Sequence, residues 1–473
     1  MTRLERPELA ITPYIVRNEF FGCLLYQRQS GKYFSLDKDM LALLRASQTK
    51  PLEDVFNYVY GERAAQVSKS EKDYEADFKQ LLAIFESSGI MRDGRFVGTF
   101  LNNEVPHGLK ALVAPIEVNL QLTSSCPNNC SYCWVKRLQG RLPGEDMRTS
   151  EVKRLLDDLA AMGTYVVNFG GGCAVSRNDF ADLVNYAHKC GLMVNLSVEG
   201  AALDKKRVEM LASLNIHSFR IGVAAGTDKI WSSMREGGES SQRGFQSKIK
   251  YLFSKLRDVK STAKVAFKAV VVDKNCDDLS NLVNKLNSLS RECGIRDSIL
   301  YLDPALPIAS AAAGDARSFL NAKRVIAFVN WVKDYNRRAT AGDPIRVKTN
   351  ADVPFSESKR DLDGFGCHCG FHSCFISSKG YVYPSAALAG VIDATNSINL
   401  RQESLLNIWQ QSLLFRQFRG QSANETCRDC EYYKNCHGGC RSRAMLYTPK
   451  SWRAVDPWCR KVYEKALSAR NKQ

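Results

Sequence analysis

Cys126, Cys130 and Cys133 lie in Ser-Ser-Cys-Pro-Asn-Asn-Cys-Ser-Tyr-Cys-Trp, directly after the apolar run Pro115–Leu122. A C-x3-C-x2-C spacing on one short loop brings three sulfurs to one side. Three thiolates can hold three irons of a cubic [4Fe-4S] cluster and leave the fourth iron without a protein ligand. Such an iron can bind a small molecule, which a closed four-thiolate site cannot do. Paired cysteines alone would point to zinc or thiol redox chemistry. The ring of Tyr132 immediately precedes the last of the three cysteines.

A second string runs Cys427-x2-Cys430-x5-Cys436-x3-Cys440 and ends with Cys459. Taken alone, those spacings suit a zinc ribbon as well as an iron–sulfur site. Cys367, Cys369 and Cys374 form a smaller group upstream. The chain has 16 cysteines but no secretory h-region, because its N-terminus is charged from the third residue on. A disulfide framework is therefore not expected, and metal or cluster ligation is the natural use of the thiols.

The elements that must position these residues can be read from periodicity. Residues 1–97 read as a small unit: strands over Tyr14–Phe20, Gly22–Gln27 and Gly31–Phe34, then helices over Asp39–Ala46, Leu52–Tyr60 and Tyr74–Ser87. Ser35 or Asp37 could cap the first helix, and Ile90–Val97, broken at Asp93-Gly94, could add a wing. That outline is a winged helix. From Pro115–Leu122 onward, strands and helices alternate through Tyr165–Phe169, Met193–Val198, Ser218–Val223, Lys264–Val272 and Ser298–Asp303. Repeated β-α units imply a parallel sheet with helices outside, and chemistry at the C-terminal ends of its strands. The cysteine loop follows the first of those strands.

After the second strand comes Phe169-Gly-Gly-Gly-Cys-Ala-Val-Ser-Arg, where Gly171 and Gly172 would let the backbone approach a ligand closely. The third strand ends in Asn195-Leu-Ser-Val-Glu-Gly200, with Ser197 and Glu199 on one side by period two. Arg235 follows the fourth strand.

The three-cysteine loop resembles the signature of the radical S-adenosylmethionine (radical SAM) enzymes. The resemblance implies an α/β fold with a partial (β/α)6 barrel, spanning about residues 112–340. It implies a cluster held by Cys126, Cys130 and Cys133, with Tyr132 near the adenine of S-adenosyl-L-methionine. Gly171 and Gly172 look like the family's G-G-E-P element, although its Glu and Pro are Cys173 and Ala174 here. Ser197 and Glu199 stand where relatives carry Ser or Thr and Asn, and Arg235 matches a basic residue suited to the cofactor carboxylate. The C-terminal cysteines resemble the SPASM extension, placed at about 341–473, which holds up to two auxiliary [4Fe-4S] clusters. By that pattern Cys427, Cys430, Cys436 and Cys459 form a closed cluster, and Cys440 crosses to a second one with Cys369. The cysteine expected five residues after Gly380 is Ser385. Cys367 or Cys374 could replace it, or an iron could stay open.

Residues 1–97 resemble the PqqD-like recognition element, notably in Gly31-Lys-Tyr-Phe-Ser-Leu-Asp. Together the three segments look like a maturase of ribosomally made peptides. Such an enzyme uses a 5′-deoxyadenosyl radical to install a cross-link or other C–H functionalisation. Its implied partners are a precursor peptide with a leader and an electron donor such as flavodoxin or ferredoxin. The formal charge of +16 would suit an acidic leader; residues 401–473 alone carry 14 Lys and Arg against 6 Asp and Glu. Neither membrane nor nucleic acid is expected as a partner, and the expected location is the cytoplasm. No residue stands out as a catalytic acid or base. Two rivals share some of these residues: a sulfatase-maturing type of radical SAM enzyme, and a zinc-dependent nucleic-acid binder built from a winged helix and a ribbon.

Overall fold

A computed structural model describes residues 12–63, 71–109, 111–130, 132–138, 141–236, 242–307, 319–351, 368–393, 398–420, 427, 429–431, 433–436, 438–448 and 451–459. Cys367 lies outside the described residues.

The chain opens with an antiparallel meander of β1 (Tyr14–Glu19), β2 (Gly22–Gln27) and β3 (Lys32–Asp37). Asp37 ends β3 and caps α1 (Lys38–Thr49), its carboxylate accepting the Met40 amide at 2.9 Å. Helices α2 (Leu52–Arg63) and α3 (Glu71–Ser87) follow, and Leu43, Leu44, Val55, Val59, Phe78 and Phe85 close the core between them and the sheet. The wing is a hairpin of β4 (Met91–Arg92) and β5 (Arg95–Phe96), turned by Asp93 and Gly94 at φ 51° and 70°. Next, β6 (Gly98–Phe100) returns parallel to β1 and leaves β3 as the opposite edge of the sheet.

The main sheet is built on β7 (Glu117–Gln121), which leads into the cysteine loop and its short strand β8 (Asn129–Cys130). After it come β9 (Val166–Gly170), β10 (Met193–Glu199) and β11 (Ser218–Val223). A two-residue strand β12 (Arg235–Glu236) precedes β13 (Lys264–Val271) and β14 (Ser298–Pro304). Four further strands, β15 (Ile345–Lys348), β16 (Ser373–Ile376), β17 (Tyr381–Tyr383) and β18 (Ile398–Asn399), complete a ten-stranded sheet. Its order is β15-β14-β13-β11-β10-β9-β7-β16-β17-β18. Every neighbour pair from β15 to β16 is parallel, and only the last two pairings are antiparallel. The six expected β-α units are present as an open, partial barrel. The C-terminal strands continue that same sheet, a continuity that their two- to four-residue lengths hid from periodicity.

Side chains alternate across this sheet. Val167 and Phe169, Val194, Leu196 and Val198, and Phe219, Ile221 and Val223 face the helices and are buried. The helix Thr149–Ala161 meets them with Val152, Leu155, Leu156 and Leu159, a stripe at helical spacing. The opposite face is polar, which prepares it to line a site.

The N-terminal unit is fixed to the barrel by a buried ion pair. Arg17 and Glu19, both fully buried, pair at 2.8 Å. Arg17 also donates to the Gly163 carbonyl at 2.7 Å, and Glu19 accepts the Val113 amide at 2.9 Å. Beside them Tyr26 stacks on Tyr165, with ring centroids 4.0 Å apart. Breaking a buried pair by removing one partner costs about 3–5 kcal/mol, so this joint is a strong one.

Candidate active site at the cysteine loop

The loop after β7 is clamped from three directions. Asp146 accepts the Thr123 hydroxyl at 2.8 Å, the Ser124 amide at 3.0 Å and the Ser124 hydroxyl at 3.2 Å. Burial raises the Asp146 pKa, but hydrogen bonds from Ser378, Thr123 and Ser124 outweigh it and hold the carboxyl below its ordinary range. Arg177 donates to the Leu122 and Met147 carbonyls at 2.8 and 3.0 Å while its other edge grips Asp179. From β9, the Cys173 amide donates to the Ser125 carbonyl at 2.7 Å.

Gly171 and Gly172 have φ of 66° and 45°, in the left-handed region. Their near neighbours are within the protein itself. A β-carbon on Gly171 would collide with the Gln121 side chain, and one on Gly172 with the Thr123 and Ser125 carbonyls. The glycine run therefore seats the cysteine loop against the end of β9.

The thiol of Cys126 is half-buried. Burial raises its pKa first, the Asn128 amide lowers it, and Cys173, Cys133 and Glu199 are close enough to raise it further. Cys130 lies on β8, whose backbone pairs antiparallel with β12 so that Cys130 stands opposite Arg235. Tyr132 is half-buried against the main core, and Trp134 packs edge-on against Phe375 with centroids 5.5 Å apart. The structure thus brings Cys126, Cys133, Gly171, Gly172 and Glu199 together, and sets the backbones of Cys130 and Arg235 side by side. Ser197 lies beside Gly170, whose β-carbon would sit 3.5 Å from that of Ser197.

The polar face of the sheet is layered. At its base Ser218 donates to Asn195 at 2.7 Å, Asn195 to Asn168 at 2.8 Å, and Asn168 to Asn119 at 3.1 Å and to Glu117. Nearer the loops, the strand register sets Glu199, Gly222, Lys268, Tyr301 and Lys348 in one row. That row has a carboxylate at the cysteine-loop end and two ammonium groups at the other.

In the C-terminal cysteine string Cys436 has Cys459 and Cys427 among its charged neighbours, and burial first, then Asp456 and those thiols, push it up to about 11. Cys430 donates its amide to the Cys427 carbonyl at 3.2 Å. Sequence reasoning missed the residue that organises this region. Asp456 is buried, pairs with Arg443 through both oxygens at 2.6 and 2.5 Å, and accepts the Cys440 amide at 2.6 Å and the Trp458 amide at 3.0 Å. Arg443 lies over the Trp458 ring at 3.8 Å. The one available signal was an acid placed three residues before Cys459.

Two upstream positions differ from expectation. Cys374 pairs with Val118 in register and shares its buried, helix-facing layer. Burial pushes this thiol up to about 12, Arg419 is its charged neighbour, and it packs as a core residue. Ser385 caps the turn Ala386–Gly390, accepting the Ala387 amide at 3.3 Å. Cys369 remains half-buried and bridges to Ser373 ahead of β16.

Among the described residues, no three His, Cys, Asp or Glu side chains converge on the position of a single ion. Three half-buried thiols on one short loop, with Cys133 close to Cys126, suit three corners of a cluster.

Residues 120–262 match the Radical SAM superfamily and residues 367–431 the SPASM iron–sulfur cluster-binding domain. The chain therefore carries a radical SAM domain and a SPASM domain, and its cofactors are S-adenosyl-L-methionine and [4Fe-4S] clusters. It is 25% identical over 353 residues to the mycofactocin maturase MftC of Mycolicibacterium smegmatis, covering 74% of this chain and 84% of that one. It is also 25% identical over 353 residues to a PqqA peptide cyclase of Bradyrhizobium diazoefficiens, covering 73% and 86%. In fold it is similar to Streptococcus suis SuiB bound to precursor peptide SuiA, with a TM-score of 0.65 at 17% identity over 95% of this chain and 98% of that chain.

Proposed function

We propose that this protein is a radical SAM/SPASM maturase that modifies a ribosomally made precursor peptide by cross-linking or another C–H functionalisation. By their names the relatives above are a mycofactocin maturase and a PqqA peptide cyclase, which supports the reaction class. In this reading Cys126, Cys130 and Cys133 hold the cluster that binds S-adenosyl-L-methionine. Tyr132, Gly171, Gly172, Ser197, Glu199 and Arg235 line the cofactor. Reduced cluster and bound cofactor together supply a 5′-deoxyadenosyl radical able to remove hydrogen from an unactivated carbon.

The chain's own residues do the positioning. Asp146, Arg177 and the glycine run fix the cysteine loop. The helix-facing apolar layer keeps water from one side of the sheet, and the polar layer presents Lys268, Tyr301 and Lys348 to an incoming substrate. Cys427, Cys430, Cys436 and Cys459 hold a closed auxiliary cluster. Cys369 and Cys440 serve a second, completed by Cys367 or Cys374 or left with an open iron. Flavodoxin or ferredoxin is the electron donor, and the protein works in the cytoplasm. The working units are residues 1–97, 112–340 and 341–473.

The observation that carries the peptide reading is the winged unit itself. It ends its sheet in an unshared edge strand, β3, with Phe34 43% exposed, and is locked to the barrel through Arg17, Glu19 and the Tyr26–Tyr165 stack. An extended leader can add to such an edge by backbone pairing, while pockets along the strand read its side chains. A PqqD-like role for residues 1–97 follows. The SuiB fold covers all but 5% of this chain, less than the length of that unit, which supports a shared arrangement.

The test is co-expression with short open reading frames adjoining the gene, followed by mass spectrometry of each peptide. A mass change that needs all three loop cysteines, and that is lost when β3 residue Ser35 becomes proline, supports the reading. A protein that oxidises a folded partner and tolerates Ser35→Pro would be of the sulfatase-maturing type.

A further inference from the structure

The polar face of the main sheet is matched to itself at one level and not at the next. In its base layer Ser218, Asn195, Asn168, Asn119 and Glu117 are joined to one another by hydrogen bonds. Nearer the loops, Lys268 of β13, Tyr301 of β14 and Lys348 of β15 stand side by side in register. Their neighbours along each strand, Phe267, Ala269, Leu300, Leu302 and Val347, are buried in the core, so alternation sets the three on the opposite face.

The donors of this row are largely unengaged. Among the described residues Lys348 and the Tyr301 hydroxyl make no hydrogen bond or ion pair, and Lys348 is exposed. Lys268 reaches Asp303 at 3.4 Å with 45% of its side chain exposed. Asp303 is shared, since its other oxygen accepts the Asn350 amide at 3.2 Å. A third cation, Arg220 of β11, lies 5.9 Å from the centre of the Tyr301 ring. Three positive charges thus meet at Tyr301, and Asp303 offsets one of them. Neighbouring strands lie about 4.8 Å apart, so the two lysine backbones stand about 10 Å apart across Tyr301. Two lysine stems span that gap, and a carboxylate between them has lone pairs enough for both ammonium groups and the hydroxyl.

Resting on the reading that the protein modifies a peptide, we propose that Lys268, Tyr301 and Lys348 form a recognition site for an Asp or Glu side chain of that peptide. The site lies on the far side of the sheet from β7 and the cysteine loop. Asp and Glu side chains are the anions that a ribosomally made peptide carries along its length. Binding one here would select which stretch of the peptide enters the open barrel. The contact is charge-assisted, so removing either partner should weaken recognition tenfold or more.

The experiment uses full-length, anaerobically reconstituted protein and the short peptides encoded beside the gene, with kcat/KM for modification read by mass spectrometry. Each Asp and Glu of a modified peptide is replaced in turn by Asn or Gln. One such replacement should lower kcat/KM at least tenfold with the wild-type enzyme. Lys348→Met should lower it as much with the unaltered peptide, and Tyr301→Phe should lower it severalfold. Combining Lys348→Met with that peptide change should cost no more than about threefold beyond either alone, because both remove the same contact. Full independence of the two losses, or a peptide indifferent to every replacement, would overturn the proposal. So would dependence on the peptide's free C-terminus alone, or tenfold weaker binding of S-adenosyl-L-methionine by Lys348→Met, which would assign the row to the cofactor's carboxylate. A wild-type enzyme that modifies none of the peptides would instead overturn the peptide reading on which the proposal rests.

Discussion

The two cysteine regions of this protein solve opposite problems with the same side chain. The loop after β7 offers three thiols, half-exposed, and is held by Asp146, Arg177, the Gly171–Gly172 seat and the pairing of β8 with β12. The C-terminal string sets Cys436 and Cys440 beside a buried ion pair, Arg443–Asp456, that reaches directly into the cysteine backbone at Cys440. In the proposed reading, one arrangement leaves a coordination position open. In the same reading, the other closes around its own ligands. The difference teaches that openness here is a property of the clamps: a loop held from behind keeps its front accessible, whereas a site held from within does not.

The largest expected effect separates the two regions. Alanine at Cys126, Cys130 and Cys133 together should reduce S-adenosyl-L-methionine cleavage to background, at least a thousandfold, as measured by 5′-deoxyadenosine release. Cys430→Ala should lose iron yet keep more than a tenth of that cleavage in the absence of peptide. Equal losses in both would break the distinction.

Next in size is Asp456→Asn. It leaves Arg443 buried without its counter-charge, a change that costs about 3–5 kcal/mol. Chemical denaturation and iron analysis should show a destabilised protein depleted in auxiliary iron. Asp146→Asn is smaller, because the amide still accepts through its oxygen. About 1–2 kcal/mol of loop anchoring should go, seen as faster hydrogen exchange at Ser124 and Ser125.

The smallest effect is a pH dependence. The guanidinium of Arg177, hydrogen-bonded to Asp179, lowers that carboxyl from 3.8 to about 2 against the opposing effect of burial. A depressed carboxyl pKa contributes stability that is complete above the unfolded value and lost as pH falls through the folded one. The gap between wild type and Asp179→Asn should therefore be about 1–2 kcal/mol at pH 5 and close between pH 4 and 2. A gap that persists at pH 2 would show that Asp179 acts through shape alone.

Much of the fold was legible because parallel strands buried on one face by helices read as apolar runs of regular spacing. Ser218–Val223 is read directly from such a pattern, and Asp37 was one of two candidate caps, the other, Ser35, lying inside β3. The clamps were not legible, for a physical reason. Asp146, Arg177 and Asp456 act through backbone groups brought close only by folding, and each sits in a polar stretch where a charged residue needs no explanation. Arg17 and Glu19 were hidden differently, since their alternation in β1 matches a solvated strand face while their partners lie some hundred residues away. The three-cysteine loop was visible because its spacing is itself the chemistry. The role of the glycines was half-visible: close approach was required, but by the cysteine loop itself.

The central claim is that the Cys126 loop presents an iron open to a small molecule while the C-terminal string does not. It is tested most directly by hyperfine spectroscopy of the reduced, reconstituted protein with S-adenosyl-L-methionine labelled with 15N at the amino group and 17O at the carboxylate. Both labels should couple to the cluster in wild type and in Cys430→Ala, and neither should in the loop triple variant. Coupling that survives in the triple variant, or that vanishes only with Cys430, would contradict the account.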